Sequence, residues 1–326
     1  MKAKEKEKLV IIDGNAIIHR SYHALPPFTT KKGELVNAVY GFTSTLLTVI
    51  DKFKPKYIVA TFDLKAPTFR HKKFKDYKAT RVKGPDELYA QISRVKEIVQ
   101  AFGIPIYEKE NFEADDVIGT IAQQVNENSK NKKSNLEMII VTGDLDTLQL
   151  IKPNVKVYTM SRGINKAVLY DEQAVRERYT LTPEQLKDFK GLRGDTSDNI
   201  PGVKGIGEKG AINLLTKYKT LEGVYQNINE IKGALKEKLE TDKAQAFLSK
   251  DLGIIKTDVP IKFNLSKCKT IDFDQNKLLT LFRELGFHSL IKRFLKNNGE
   301  EIDKKVIKEV KSFKYKIIKY SEVDKI

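Results

Sequence analysis

The chain has 326 residues, with 59 Lys and Arg against 43 Asp and Glu, a formal charge of +16; that length suits roughly two domains of ~150 residues each, and the charge points to a polyanionic partner, nucleic acid first. A single cysteine, Cys268, excludes an intramolecular disulfide framework and a cysteine zinc cluster, and His19, His23, His71 and His288 show no zinc spacing. No stretch reaches the ~18 uncharged apolar residues of a membrane span, and MKAKEKEKLVIID lacks the apolar region of a signal peptide, so the expectation is a soluble, cytoplasmic protein with no membrane partner.

In chain order, Leu9–Ile12, Lys56–Phe62 and Glu137–Thr142 are short β-branched apolar runs that read as buried strands. Between them, Val36–Ile50, Glu87–Phe102 and Asp115–Asn126 carry apolar residues at helical spacing. Alternating strands and helices predict a parallel, doubly wound α/β sheet. Residues 65–86 interrupt it with a basic, aromatic insertion too long for a plain connection. Val155–Met160 and Ala167–Tyr170 suit a hairpin across Arg162-Gly163. From Asp171 to about Leu295 the pattern is almost wholly helical. The expected organisation is an α/β core over 1–180, a helical domain over 181–295, and a linker and tail over 296–326, with Phe313–Tyr320 as a lone strand.

Acids in a basic protein are informative by position. Asp13, Asp63 and the pair Asp144 and Asp146 each follow a predicted strand, and in an open parallel sheet those carboxyl ends share one ligand-binding edge. Glu113, Asp115 and Asp116 open a helix, and Asp195 and Asp198 lie in RGDTSDNIPG. Singly, each has a plainer reading as a turn former, helix cap or dipole partner. Jointly, nine carboxylates on one edge repel one another and lose hydration, so they call for cations. An all-oxygen site suits Mg²⁺ or Mn²⁺, and this many acids could hold two ions about 4 Å apart, the arrangement of two-metal phosphodiester hydrolysis.

Residues 200–215, IPGVKGIGEKGAINLL, satisfy GxGxxG, yet no strand precedes them. They read as a helix–hairpin–helix, in which Gly202, Gly205 and Gly207 let backbone amides approach a phosphate and Lys204 and Lys209 add charge. Such contacts carry no base information; an ordinary glycine-rich connection is the plainer alternative. In the insertion, Arg70, Lys72, Lys73, Lys75, Lys78 and Arg81 interleave with Phe69, Phe74 and Tyr77, a mixture suited to single-stranded DNA or to a solvated basic loop. Because it springs from the strand ending at Asp63, it should overhang the acidic edge, where Lys78 or Arg81, and Arg20 from the helix after Asp13, could stabilise charge on a phosphate.

The ordered motifs IIDGNA, VATFD, FRHKKFKDYKATR, FEADD, VTGDLD and GLRGDTSDNIPGVKGIGEKGA resemble the bacterial 5′-nuclease family, and more closely the 5′–3′ exonuclease domain type found at the N-terminus of DNA polymerase I, related to flap endonucleases. The resemblance runs from about Leu9 to about Leu295. It implies a PIN-like core with a helical arch, a helix–hairpin–helix duplex grip that often holds K⁺, and hydrolysis of DNA 5′ ends, flaps and RNA primers paired to DNA. It further implies a first metal set of Asp13, Asp63, Glu113, Asp115 and Asp116, a second of Asp144, Asp146, Asp195 and Asp198, and arch residues Tyr77, Lys78 and Arg81, with Arg20 nearby. Gly210 departs from the threonine usual in GEKTA, and no ligand position is lost. The tail FKYKIIKYSEVDKI resembles the start of a proofreading-type domain, so a polymerase partner, fused or separate, is expected, and a monomer. A PIN-type ribonuclease and a non-catalytic binder of DNA junctions are the competing readings.

Overall fold

A computed structural model describes residues 6–130, 136–160, 167–270, 273–297 and 316–317. The predicted strands form β1 (Glu7–Asp13), β3 (Tyr57–Thr61), β5 (Leu136–Thr142), β6 (Val155–Met160) and β7 (Ala167–Tyr170), and two short strands that the sequence reading does not predict accompany them, β2 (Phe28–Thr29) and β4 (Ile106–Tyr107). Apart from β2 they make one sheet in the order β4-β3-β1-β5-β6-β7, parallel except for the antiparallel β6–β7 hairpin. Leu9 to Ile12 are buried on both faces, as a central parallel strand requires. Register sets Asp13 beside Thr61 and Ile12 beside Val141, so β3, β1 and β5 end side by side.

The helices are α1 (Gly14–Ala24), α2 (Asn37–Phe53), α3 (Phe69–Lys73), α4 (Asp86–Ala101), α5 (Ala114–Lys130), α6 (Glu172–Tyr179), α7 (Leu186–Arg193), α8 (Glu208–Tyr218), α9 (Leu221–Gln226), α10 (Ala234–Thr241), α11 (Lys243–Gly253), α12 (Gln275–Glu284) and α13 (His288–Asn297). Alternation along the strands builds two cores. Val10, Ile12, Ile58 and Val141 face one side with α1, α2 and α4, while Leu9, Ile11, Val59 and Ile140 face α5. A third core, with Phe189, Leu192, Leu214 and Leu239, belongs to α7–α11.

Two expectations are corrected. The helical stretch does not run as one unit to residue 295: Leu278, Phe282, Phe287, Ile291 and Phe294 of α12 and α13 join the α/β core against α2 and α4. A helical period shows that a stripe is apolar, not which neighbour covers it. The insertion is also less helical than the arch that the resemblance implies. Only α3 is helical between residues 65 and 85, and the segment is tied down: Lys78 N donates to Asp198 O at 2.9 Å and Asn199 Nδ2 to Asp76 O at 2.7 Å. Lys316–Ile317 pairs antiparallel with β2; the rest of the expected Phe313–Tyr320 strand, the linker and the Arg162-Gly163 turn lie outside the described residues.

Candidate metal centre

β1 delivers Asp13 to the edge of the sheet, where it caps α1 by accepting from Ala16 N at 3.1 Å and accepts from Thr142 Oγ1, at the end of β5, at 2.6 Å. Asp63, two residues past β3, accepts from Ala114 N at 2.6 Å and so ties that strand to the start of α5. Asp144 caps the 3₁₀ turn Leu145–Leu150 through Asp146 N. The loop after α7 closes on itself, Asp195 pairing with Ile200 through both backbone groups at 2.8 Å, which turns Asp195 and Asp198 towards the same place.

Asp13, Asp63, Glu113, Asp115, Asp144 and Asp146 line one cavity of about 580 Å³, with Lys78, Arg81, Arg20 and His19 on its wall. Carboxylate oxygens of Asp146, Asp195 and Asp198 lie within 4.8 Å of one another beside it. The charges are expensive to hold. Burial, opposed by the Thr142 hydroxyl and reinforced by the charges of Asp63 and Asp144, pushes Asp13 up to about 7. Burial and the neighbouring carboxylates, Asp144 foremost, raise Asp115 well above the usual range. Asp63 opens to solvent, but its carboxyl sits deep among protein atoms; the lost hydration, with Glu113 and Asp116 nearby, raises it as well. Burial lifts Asp146 to about 6, against the pull of Lys190. Asp195 goes the other way: partial burial is outweighed by Lys190 and by hydrogen bonds from Ser197, which hold it down at about 2.

Cations meet these acids from above and behind. Lys78, at a positive φ of 58°, donates to Glu113 Oε1 at 2.8 Å, and Arg81 pairs with Asp198. Lys190 pairs with both Asp146 and Asp195, the latter at 2.9 Å. Sequence reading passed over Lys190, Thr142 and His19. Thr142 had a signal, a polar residue ending an apolar strand; Lys190 is an ordinary helix-end lysine until the Asp195 loop folds back onto it.

Four predicted site residues lie elsewhere in the chemistry. Asp116 is fully buried: Arg70 grips it with two bonds of 2.7 and 2.8 Å, and Glu113 N and Lys256 N donate at 3.0 and 2.8 Å. Its four acceptor positions are filled, so it braces the start of α5 and leaves nothing for a metal. Arg70, 3% exposed, also donates to Leu252 O and Ile254 O, and is no DNA contact. Tyr77 is buried with its hydroxyl donated at 3.2 Å to both Glu113 and Asp198, bridging two acids where stacking on a base was expected. Gly202, at φ 64°, packs on Gly194, and its backbone groups bond Ser249 Oγ and Gln245 Nε2.

The remaining basic positions stay on the surface. Lys72 bonds Asn111, Lys73 pairs with Asp251, and Lys75 is exposed. In the hairpin, Gly205 takes φ 78°, Lys204 and Lys209 are exposed, and Gly207 begins α8 with no side-chain cap and open space where a Cβ would stand. Its glycine is not required by packing, and α8 starts at exposed residues with no side-chain cap, as a helix that meets an anion would.

Sheet, acidic cavity and hairpin together define the class of fold and site suited to metal-assisted phosphodiester chemistry. The family models for the 5′–3′ exonuclease N-terminal resolvase-like domain and the 5′–3′ exonuclease C-terminal SAM fold match residues 8–180 and 181–276. The chain belongs to the 5′–3′ exonuclease family, whose members are hydrolases acting on DNA. It is 44% identical over 288 residues to DNA polymerase I of Caldicellulosiruptor bescii and 41% identical over 297 residues to that of Bacillus subtilis, covering 88% and 91% of this chain. It spans about one third of the length of these relatives, 33% of each. Among solved structures it resembles the zinc-bound 5′-exonuclease of bacteriophage T5 (TM-score 0.63, 18% identity, 86% of this chain and 99% of that one). The T5 D15 flap endonuclease with DNA and metal ions has a TM-score of 0.60 at 16% identity, covering 94% and 100%.

Proposed function

We propose that the chain is a divalent-metal-dependent 5′–3′ nuclease that hydrolyses phosphodiester bonds near DNA 5′ ends and flaps, and in RNA primers paired to DNA. The observation that carries this reading is that eight carboxylates from five chain segments meet in one place beneath Lys78 and Arg81. The donor set is all oxygen, which fits hard divalent cations such as Mg²⁺ or Mn²⁺, and the raised acids gain by giving up protons to bind them. Asp13, Asp63, Glu113, Asp115 and Asp144 would hold one ion, and Asp146, Asp195 and Asp198 a second. Bound there, the ions would supply a hydroxide nucleophile at neutral pH and stabilise the departing oxygen.

The chain's own groups do the rest. Thr142 and Ala114 N fix the Asp13 and Asp63 carboxylates, and Arg70 through Asp116 sets the first turn of α5 and with it Asp115. Lys78 and Arg81, already at the cavity mouth, bind the scissile phosphate and its neighbour, with Arg20 on the same wall. The amides at Gly205 and Gly207, with Lys204 and Lys209, grip duplex backbone without reading sequence; K⁺ is the ion we assign to that hairpin. Among the described residues one chain carries all the groups named here, and we assign a monomer as the active form. The nuclease works in the cytoplasm beside a polymerase, fused or separate, whose displaced strands it removes.

The test is a 5′-labelled flap duplex incubated with Mg²⁺ or with EDTA, for wild type and Asp115→Asn. Metal-dependent release of short 5′ fragments, reduced at least ~10³-fold in the variant, is expected. Binding without cleavage under any metal would replace the proposal by a junction-binding role.

A further inference from the structure

A second groove, of about 340 Å³, runs from the acids to the hairpin. At one end it shares Asp146, Lys190 and Asp195 with the metal centre; at the other it reaches Glu208, the first residue of α8. Its walls carry two exposed arginines, Arg178 from α6 and Arg193 from α7. Neither has a carboxylate partner among the described residues, whereas Arg70, Arg81, Arg94, Arg176 and Arg293 each do. Both are instead held on rings. The Arg178 guanidinium lies 5.2 Å from the Tyr179 ring centre and donates to Tyr170 Oη at 2.6 Å, and Arg193 lies 5.6 Å from the ring of buried Phe189.

A guanidinium braced on a ring loses little entropy when it meets an anion; Arg178 spends Nη1 on Tyr170 yet stays exposed, and Arg193 is likewise exposed. Two such guanidinium groups in a groove that joins a phosphodiester-cutting centre to a phosphate-gripping hairpin match a nucleic-acid backbone passing between them. Lys190 is committed to Asp146 and Asp195, which leaves Arg178 and Arg193 as the groove's unpaired cations among the described residues, and Glu208 at the start of α8 marks its far end. We infer that this groove seats the paired strand between the scissile bond and the hairpin, with Arg178 and Arg193 each holding one of its phosphates. The inference rests on the nuclease reading above and names residues for its duplex side, away from Lys78 and Arg81.

The test is fluorescence anisotropy in EDTA with the full chain and three labelled DNAs: a 5′-flap duplex, a blunt duplex and a single strand of the flap sequence. For Arg178→Gln/Arg193→Gln we expect Kd for both duplexes to rise about tenfold or more, with the slope of log K against log salt falling by about 2, and single-strand binding unchanged. The Arg178→Lys/Arg193→Lys variant should keep most of the wild-type slope. Unchanged duplex affinity and slope in the glutamine variant would overturn the inference, as would an equal loss on the single strand, which would move these arginines to the flap side. Melting of both variants guards against misfolding; if the glutamine pair melts early, the single substitutions, each lowering the slope by about 1, decide. If wild type fails to cut the flap yet the duplex-specific loss stands, the nuclease reading fails and the groove assignment survives.

Discussion

Arg70→Met isolates the most deeply buried ion pair among the described residues. Arg70 is 3% exposed and Asp116 fully buried, and the guanidinium makes two bonds to the carboxylate and two to backbone carbonyls at 2.8–2.9 Å. Methionine fills similar space but strands the Asp116 charge and both carbonyls. Breaking one side of a buried pair costs about 3–5 kcal/mol, which for a unit of this size lowers Tm by roughly 6–20 °C. Asp116→Asn strands the Arg70 charge in turn and points an amide NH2 at two N–H donors, so it should cost a similar ~3–5 kcal/mol. In the double variant Arg70→Met/Asp116→Asn both stranded charges are gone, so the cost should fall well short of the summed single losses, a coupling of several kcal/mol. Thermal and urea melts of the four proteins measure this. Calorimetric titration with Mn²⁺ adds the decisive contrast: Asp116→Asn should bind metal within a fewfold of wild type while Asp115→Asn loses an ion. Additive melts, or equal loss of metal in both, would refute the assignment of Asp116 to bracing.

Three further outcomes follow from the same geometry. Gly202→Ala would place a Cβ 2.3 Å from Gly194 N at φ 64° and should destabilise by more than about 2 kcal/mol, whereas Gly207→Ala meets open space and should change stability by less than about 1 kcal/mol while weakening duplex binding severalfold; melts paired with anisotropy separate the two. Because Asp13 titrates near 7 in the folded chain and near 3.8 unfolded, the native state binds the extra proton between those values, so the metal-free protein loses that stability as pH rises from about 4 to 7; Asp13→Asn should gain on wild type across that window, and a gap flat with pH would contradict it. Neutralising Lys78 and Arg81 together should slow single-turnover cleavage at least ~10²-fold while shifting duplex Kd only a fewfold, and equal effects on both would remove them from the cavity mouth.

How far the sequence reveals this molecule depends on the range of the forces involved. Strands at Leu9–Ile12 and Glu137–Thr142 are legible because a strand buried on both faces must be apolar throughout, and the sheet's edge then follows from chain direction. Asp13, Asp63, Asp115, Asp144, Asp146, Asp195 and Asp198 are legible as a set for the same reason: each stands at an element boundary that a short-range pattern marks. The covering of α12 and α13 by the α/β core is not marked locally, since the stripe Leu278, Phe282 and Phe294 suits any apolar neighbour.

The harder limit concerns valence. Sequence shows that Asp116, Arg70, Tyr77 and Gly202 have the right chemistry for ligand, phosphate grip, stacking ring and open hairpin, but whether those groups are free depends on partners far along the chain. Arg70 spends its donors on Asp116, Leu252 and Ile254, up to 184 positions away, and Tyr77 its hydroxyl on Asp198, 121 positions away. The same accounting works in reverse. Arg178 and Arg193 look like surface arginines in sequence, and only the fold shows that rings hold them while no carboxylate among the described residues claims them. Asp115 stands one position from Asp116 in FEADD and differs from it in being left without a cation of its own among the described ion pairs. On that contrast, Asp115 is the acid we assign to a divalent ion, and Asp116 the one whose charge Arg70 already balances.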